Sequence, residues 1–248
     1  MIMLKNKLQL DIMREAGRIS ARALRVGLEA VRPGVTNRHI DKVIHDYIKR
    51  AGAIPSFLGY GGFPAAACIS VNEQVIHGVP GDRVIKEGDI VSIDVGAIYQ
   101  GFHGDNAATV GAGRISEEAK KLLEVTRESL KQAIKQAVIG NRVGDIGHAV
   151  QAYAAGFGYG VVREYVGHGV GRDLHESPEV PNYGPPGRGV RLSEGMTLAI
   201  EPMVNLGKGG VRVLSDGNTV VTRDGSLSAH FEHTVAITAD GPEILTLI

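Results

Sequence analysis

The chain has 248 residues, and its 27 basic side chains balance 27 acidic ones, so the formal net charge is +0. This balance argues against a dedicated nucleic-acid site or a membrane-surface protein. The single Cys excludes an internal disulfide and favours a reducing compartment, the cytoplasm. The sequence shows no leader-like segment and no run of about 18 apolar residues, so we expect no membrane segment.

The first part of the sequence predicts two helices followed by strands. Apolar residues recur with helical spacing over 11–31. Thr36 is placed to cap a second helix, which Gly52 ends. A Gly-rich loop at 59–62 comes next. Strands are then predicted over 67–71, 90–98 and 102–110.

The same order recurs in the second part. A long helix is predicted over 116–138 and a shorter one from Asp145, followed by strands and loops, with the apolar segment 244–248 as the last strand. At an offset of 106 (140 − 34), four identical residues align over 19 positions. The aligned pairs are Gly34 with Gly140, Ile40 with Ile146, Tyr47 with Tyr153, and Gly52 with Gly158.

These patterns predict an α+β fold in which helices cover antiparallel strands. We expect a single catalytic domain over 1–248, made of two similar halves of about 1–112 and 113–248. Two unrelated α+β segments that share helix-ending glycines are the alternative. A (β/α)₈ barrel fits the length but not a start with two helices.

Nucleotide and nucleophilic-serine sites have little support in this sequence. It contains no Gly-x-x-x-x-Gly-Lys-Ser/Thr loop, no Gly-x-Ser-x-Gly elbow, no Cys-x-x-Cys pair and no His-Glu-x-x-His helix.

Four acids interrupt apolar strand segments, two in each half: Asp94, Asp105, Glu201 and Glu232. A carboxylate in such a position is costly unless it is paired or bound to a metal. One such acid is commonly explained by a Lys or Arg partner, but four are not. If all four converge at the seam between the halves, their mutual repulsion raises their pKa values, and two divalent cations would relieve it.

A nitrogen ligand is available from His168, which lies between Gly167 and Gly169. A lone His is more often structural, but the flanking glycines leave room around the ring. An oxygen-rich site with one imidazole suits Mn, Fe, Co or a catalytic Zn. Two such metals can polarise a carbonyl and activate water, which indicates hydrolysis of an amide or ester.

These residues, in this order and spacing, make nearly the whole chain resemble the methionine aminopeptidase family, in particular its bacterial type I form. The resemblance extends over segments 72–80, 87–90, 167–171, 175–176, 200–203 and 232–234. It implies the two-half arrangement called the pita-bread fold. It also implies metal-dependent removal of the initiator methionine from nascent polypeptide N-termini, with preference for a small second residue.

The resemblance also implies roles for individual residues. Asp94 would bind one of two metals, His168 and Glu201 would bind the other, and Asp105 and Glu232 would be shared. Glu201 would also take the proton from the attacking water. The two histidines that are not ligands, His77 and His175, would hydrogen-bond the scissile amide and stabilise the oxyanion.

By the same resemblance, Tyr60, Phe63 and Cys68 form the wall of the methionine pocket. Two positions depart from the family: Asn218 stands where some bacterial members carry Trp, and Leu174 where some carry Phe. These departures predict a more open or more polar pocket.

The sequence assigns less definite roles to the other six histidines. Three of them, His39, His45 and His148, lie on predicted helices and are expected to be solvated, whereas His103, His230 and His233 flank the acids and are candidates for orienting a carboxylate.

The expected protein is a monomer. Transient ribosome contact would involve the lysines of the long helix, although a solvated face is the simpler interpretation of Lys120, Lys121, Lys131 and Lys135.

Two alternatives remain open. A proline-specific peptidase of the same fold would usually carry an extra N-terminal domain. A catalytically silent binding module would have lost ligands, whereas all five are present here.

Overall fold

A computed structural model describes residues 1–247, in which four α-helices cover strands that pair in antiparallel fashion. The helices are α1 (Lys7–Ala30), α2 (Asn37–Arg50), α3 (Glu117–Lys135) and α4 (Val143–Ala155), and a short 3₁₀ helix covers Tyr60–Gly62. Within the described residues, no helix is long and apolar enough to cross a membrane.

Fifteen strands are present among these residues. They are β1 (Ile54–Pro55), β2 (Ala67–Val71), β3 (Gln74–Ile76), β4 (Ile90–Tyr99), β5 (Phe102–Gly111), β6 (Gly160–Val161), β7 (Gly167–Gly169), β8 (Glu176–Val180), β9 (Thr197–Ile200), β10 (Met203–Asn205), β11 (Val211–Val213), β12 (Val220–Thr222), β13 (Ser228–His230), β14 (Glu232–Thr238) and β15 (Gly241–Ile244).

One nine-stranded sheet runs through both parts of the chain. Its order is β1-β4-β5-β14-β9-β7-β8, with β2 also paired to β4 and β15 to β14. Two three-stranded sheets, β13-β10-β6 and β11-β12-β3, flank it. Helices α1 and α2 pack together, with α1 on β4 and β5, while α3 packs on α4 and β13. This arrangement confirms the predicted α+β architecture.

Side-chain caps explain where the helices begin. Thr36 accepts a hydrogen bond from the backbone N–H of His39, as predicted for α2. Helix α1 begins at Lys7, four residues before the predicted start, because Asn6 and Gln9 form a reciprocal capping box. Helix α3 ends at Lys135 rather than at 138.

The prediction for the C-terminal segment was wrong beyond Ile244, where β15 ends. The chain then turns inward, and the buried Thr246 hydroxyl contacts Nδ1 of His233 at 2.8 Å. Oγ1 of Thr246 also accepts from the backbone N–H of Thr234, so the segment stays attached to β14 after the strand ends. The last predicted strand residue, 248, lies outside the described residues.

The offset of 106 residues is also visible in the backbone. Gly34 and Gly140 have φ of 90° and 94°, and Gly52 and Gly158 have φ of 74° and 77°. Glycine adopts such angles at little cost. Isolated bridges recur at nearly the same offset, Thr36 with Val84 and Arg142 with Arg191: the first residues are 106 apart (142 − 36) and the second 107 apart (191 − 84). These matches support our proposal of two related halves at about 1–112 and 113–248.

Glycines allow α1 to lie very close to β5, the strand that carries Asp105. A Cβ added to Gly104 would lie 2.5 Å from the backbone nitrogen of Gly17. Around this contact, α1 and α2 bury residues such as Ile19 and Ile44 against Ile93 of β4. The helix therefore supports the sheet from the side opposite to the predicted site.

Candidate metal centre

The five candidate ligands come from five consecutive strands of the large sheet. In sheet order, Asp94 lies on β4, Asp105 on β5, Glu232 on β14, Glu201 directly after β9, and His168 on β7. Strand alternation places them on one face of this sheet. Asp94 and Glu232 both pair with Ala107, two residues from Asp105, and His168 pairs with Ala199, two residues from Glu201.

Their side chains meet closely enough to share a cation. One ligand atom each from Asp105, His168 and Glu232 can be chosen so that all three lie within 4.8 Å of one another. Nε2 of His168 lies 3.9 Å from Oδ2 of Asp105 and 3.5 Å from Oε1 of Glu201. Asp94 lies on the neighbouring strand and lines the same cavity as the other four. The structure thus brings together every residue predicted as a ligand.

Three carboxylate oxygens of the site lack a hydrogen-bond partner. Asp94 Oδ1, Asp105 Oδ1 and Glu232 Oε1 are buried and form no hydrogen bond. Among residues 1–247, no lysine or arginine pairs with these carboxylates, so the ordinary explanation for a buried acid does not apply. Unsatisfied carboxylate oxygens beside an imidazole are the donors that a divalent cation would use. The residues present therefore fit a metal site.

The electrostatics point the same way. Burial, with repulsion from neighbouring carboxylates, holds the pKa values of Asp94, Glu201 and Glu232 well above their usual range. Burial raises the pKa of Asp105 to about 7. Burial also lowers the pKa of His168 to about 3, which keeps its imidazole available as a neutral ligand. A cation would favour the charged carboxylates that burial disfavours.

The ligand group opens onto a cavity of about 240 Å³. Its wall includes all the other predicted site residues: Tyr60, Phe63, Cys68, His77 and His175. Cys68 is opposite Asp94 in the β2–β4 pairing, which turns its thiol toward the same face. Phe63, Cys68 and Leu174 also belong to one apolar cluster. An apolar recess thus adjoins the carboxylates.

Sequence reasoning missed two residues of the cavity wall, Phe57 and Gly61. Phe57 belongs to the same apolar cluster and lies just before the Gly-rich loop. Gly61 lies inside that loop, with φ of 55°. The Gly-rich sequence indicates a backbone conformation that favours glycine, but nothing in its spacing from the acids predicts that this loop lines the cavity.

The two predicted non-ligand histidines face the cavity from different sides. Nδ1 of His175 lies 2.7 Å from the hydroxyl oxygen of Tyr60, and the His175 ring centroid lies 4.2 Å from that of His168. His77 has a φ of 56° and meets Tyr165 edge to face. Burial lowers the pKa of both histidines, that of His77 to about 4. Both rings are therefore neutral near pH 7 and can each donate one N–H.

Of the histidines that flank the acids, one reaches a carboxylate. Nε2 of His230 lies 3.6 Å from Oε2 of Glu201. His103 instead contacts the hydroxyl of Ser56 at 2.9 Å, and His233 contacts Thr246. The histidines on helices α2 and α4 are exposed, except His45, which is half-buried beside Asp46.

Asn218 lines the cavity but is held toward its own turn. Its Nδ2 donates to the backbone oxygen of Asp216 at 3.0 Å, and its backbone N–H donates to Oδ1 of Asp216. An amide held in this way adds a polar edge to the recess without closing it.

Comparison with known proteins identifies the family of this chain. Residues 11–239 match the model of metallopeptidase family M24. The chain belongs to metallopeptidase family M24. It is 56% identical to the methionine aminopeptidase of Clostridium acetobutylicum, with 100% of this chain and 99% of that protein covered.

Solved structures of this family share the fold. The crystal structure of methionine aminopeptidase from Thermotoga maritima matches with a TM-score of 0.98 and 50% identity, covering all of both chains. Prolidase from Pyrococcus furiosus matches with a TM-score of 0.80 and 26% identity, covering 99% of this chain and 65% of that one. The predicted pita-bread fold is confirmed, and the buried acids and histidine fit a divalent-metal site of an M24 metallopeptidase.

Proposed function

We propose that this chain removes the N-terminal initiator methionine from nascent proteins by metal-dependent hydrolysis of the first peptide bond. The proposal rests on one observation: all five candidate ligands line one cavity, three of them with a buried oxygen that has no hydrogen-bond partner, and an apolar recess adjoins them in the same wall. Full-length similarity to a methionine aminopeptidase supports the same activity.

The ligand set is proposed to hold two divalent ions, Co, Mn, Fe or Zn. Asp94 would serve one ion, His168 and Glu201 the other, and Asp105 and Glu232 both. When bound, such ions polarise the scissile carbonyl and lower the pKa of water.

The remaining steps belong to the chain's own side chains. Glu201 accepts a proton from the attacking water while the water oxygen forms a bond to the carbonyl carbon. Glu201 then returns a proton to the leaving amine when the C–N bond breaks. With the Tyr60 hydroxyl donating to Nδ1 of His175, the ring proton of His175 lies on Nε2. His77 and His175 then donate to the scissile amide and to the developing oxyanion.

The recess formed by Phe57, Phe63, Cys68 and Leu174 would hold the methionine side chain. A flexible thioether packs well against aromatic and sulfur surfaces. We propose a small second residue in the substrate because a bulky one would crowd the amide against the ligand group. The Asn218 edge makes the outer part of the recess more polar than a closed aromatic wall would.

Several finer statements are part of the same proposal. The chain acts as one catalytic domain and as a monomer in the cytoplasm, on nascent polypeptide N-termini. Contact with the ribosome would be transient. Of the four lysines on α3, Lys120, Lys121 and Lys131 each pair with a glutamate one turn away, and Lys135 contacts Gln132, which fits a solvated face.

The experiment is methionine release from Met-Ala-Ser by metal-stripped protein, before and after Mn, Fe or Co is restored, with Met-Leu-Ser in parallel. Metal-dependent release that favours the alanine peptide is expected. Glu201→Gln should abolish it, whereas Glu194→Gln, an exposed acid after β8, should not. Release of the first residue from Xaa-Pro peptides alone would favour a proline-specific peptidase, and no release would favour a silent binding module.

A further inference from the structure

His230 has a buried nitrogen without a partner. The residue ends β13 and is 1% exposed. Its Nε2 makes no hydrogen bond and lies 3.6 Å from Oε2 of Glu201. A buried polar atom left unsatisfied costs about 1–3 kcal/mol. Such an atom aimed at a carboxylate indicates a partner that is met in the working enzyme.

Both backbone polar groups of His230 form hydrogen bonds with the side chain of Thr109. Its N–H donates to Oγ1 of Thr109, and its carbonyl accepts from the same hydroxyl, each at 2.9 Å. In the sheet it pairs with Met203, two residues after Glu201. The ring is therefore held at a fixed place beside the Glu201 side chain.

His230 lies outside the set of residues that line the cavity. A ring in that position does not reach a substrate in the cavity directly. The carboxylate that its Nε2 faces, Glu201, does line the cavity, so His230 is placed to act on the reaction through Glu201.

The two oxygens of Glu201 face two different imidazoles. Oε1 lies 3.5 Å from Nε2 of His168, and Oε2 lies 3.6 Å from Nε2 of His230. The backbone carbonyl of Glu201 accepts a hydrogen bond from Asn182, so the main chain at this point is held as well. With the main chain held, a hydrogen bond to Oε2 would fix the direction of the carboxylate.

We propose that His230 is a positioning residue, whose Nε2–H donates to Oε2 of Glu201 and so holds Oε1 toward His168 and the other ligands. A movement of about 0.7 Å brings the two atoms to the length of a charge-assisted hydrogen bond. The inference rests on the proposed function only in that Glu201 acts as a ligand.

The test compares two substitutions at one position in the full-length chain. His230→Met keeps the volume and removes the donor, whereas His230→Gln keeps an N–H donor on a side chain of similar reach. Co²⁺ binding to metal-free protein is measured by calorimetry and by visible absorption, without substrate. Hydrolysis of Met-Ala-Ser gives kcat and KM separately.

We expect His230→Met to weaken Co²⁺ binding, and to lower kcat, by about 10- to 100-fold, with KM changed less than about two-fold. His230→Gln should restore both to within about three-fold of the parent. The matched control is His233→Met, because His233 is also buried but its ring contacts Thr246 instead. This control should leave Co²⁺ affinity unchanged.

Two outcomes would overturn the proposal. Unchanged Co²⁺ affinity and kcat in His230→Met would show that the ring does not act on Glu201. An equal loss in His230→Gln and His230→Met, with a changed Co²⁺ spectrum, would make His230 a direct ligand instead.

If His230→Met does not fold, His230→Asn replaces it. The Asn amide is one methylene shorter than that of Gln, so it should lose Co²⁺ affinity while His230→Gln retains it. Equal affinity in these two variants would contradict the proposal. If the parent binds Co²⁺ as expected but releases no methionine, the proposed function fails while this inference stands.

Discussion

Replacing Lys5 by Met should destabilise the protein strongly, although Lys5 precedes the first helix. Nζ of Lys5 lies 2.5 Å from Oε2 of Glu176 and donates to the carbonyl of Met3 at 3.0 Å. The two charged side chains are only 5% and 7% exposed. This ion pair ties the N-terminal segment to the residue that follows His175.

The size of the effect follows from this burial. Removing one member of a buried pair leaves the other charge uncompensated, at a cost of about 3–5 kcal/mol. The other oxygen of Glu176 keeps its hydrogen bond from the backbone N–H of Arg172, which favours the lower end, about 3 kcal/mol. In a chain of this length, that corresponds to a fall in Tm of roughly 6–12 °C.

Urea unfolding followed by circular dichroism measures the free energy of unfolding. The matched control is Lys42→Met, because the Lys42–Asp46 pair has a similar distance, 2.6 Å, but 70% and 39% exposure, and exposed pairs contribute about 0–1 kcal/mol. The double variant Lys5→Met with Glu176→Met should recover much of the loss, since no buried charge is left. A loss in Lys5→Met no larger than that in Lys42→Met would refute the reasoning.

Three further predictions concern the site and its support. Metal-free protein should lose stability as pH rises from about 7 to about 8. The buried carboxyls of Asp94, Glu201 and Glu232 have folded pKa values well above their usual range, and that of Asp105 is about 7, so they keep protons that the unfolded chain has released. In this range the histidines of the unfolded chain are already mostly neutral, so they oppose the effect little. Urea unfolding with and without Mn²⁺ checks this, and a rise in stability without metal would contradict it. Gly104→Ala should cost about 1–3 kcal/mol or more, because its Cβ would meet the backbone of α1, whereas Gly81→Ala, with nothing within 4 Å, should be near neutral in the same unfolding assay. Tyr60→Phe removes one hydrogen bond to His175 and should lower kcat for peptide hydrolysis by about 2- to 10-fold. The affinity for Co²⁺ should not change. An unaltered kcat would exclude that hydroxyl from the reaction.

The candidate ligand set stands out in the sequence because acids are costly in apolar strands. Asp94 and Glu232 are visible as polar interruptions, although 138 residues separate them (232 − 94). Their meeting depends on the pairing of β5 with β14, which local pattern alone does not specify. The family resemblance supplied that connection.

Other features needed the structure for physical reasons. The direction of His233 is an exception, because alternation along β14 turns it away from the face that carries Glu232, and a strand pattern could have predicted this. His230 lies on a different strand, beyond a break at Phe231, so no period relates its direction to that of Glu232. The inward turn at Thr246 depends on a distant partner, and an apolar segment gives no sign of it.

The pairing of β5 with β14 has a consequence for how such a protein could have arisen. Oγ1 of Thr234 both accepts from the backbone N–H of Asp105 and donates to its carbonyl, so the two strands are joined beside the ligands. Two of the five candidate ligands precede residue 113 and three follow it. On our proposal of two related halves, an ancestor of half the present length would have carried an incomplete ligand set, and two copies would have had to associate edge to edge before either could hold a cation. In this view fusion into one chain made a once intermolecular site permanent, and afterwards allowed each half to acquire different ligands.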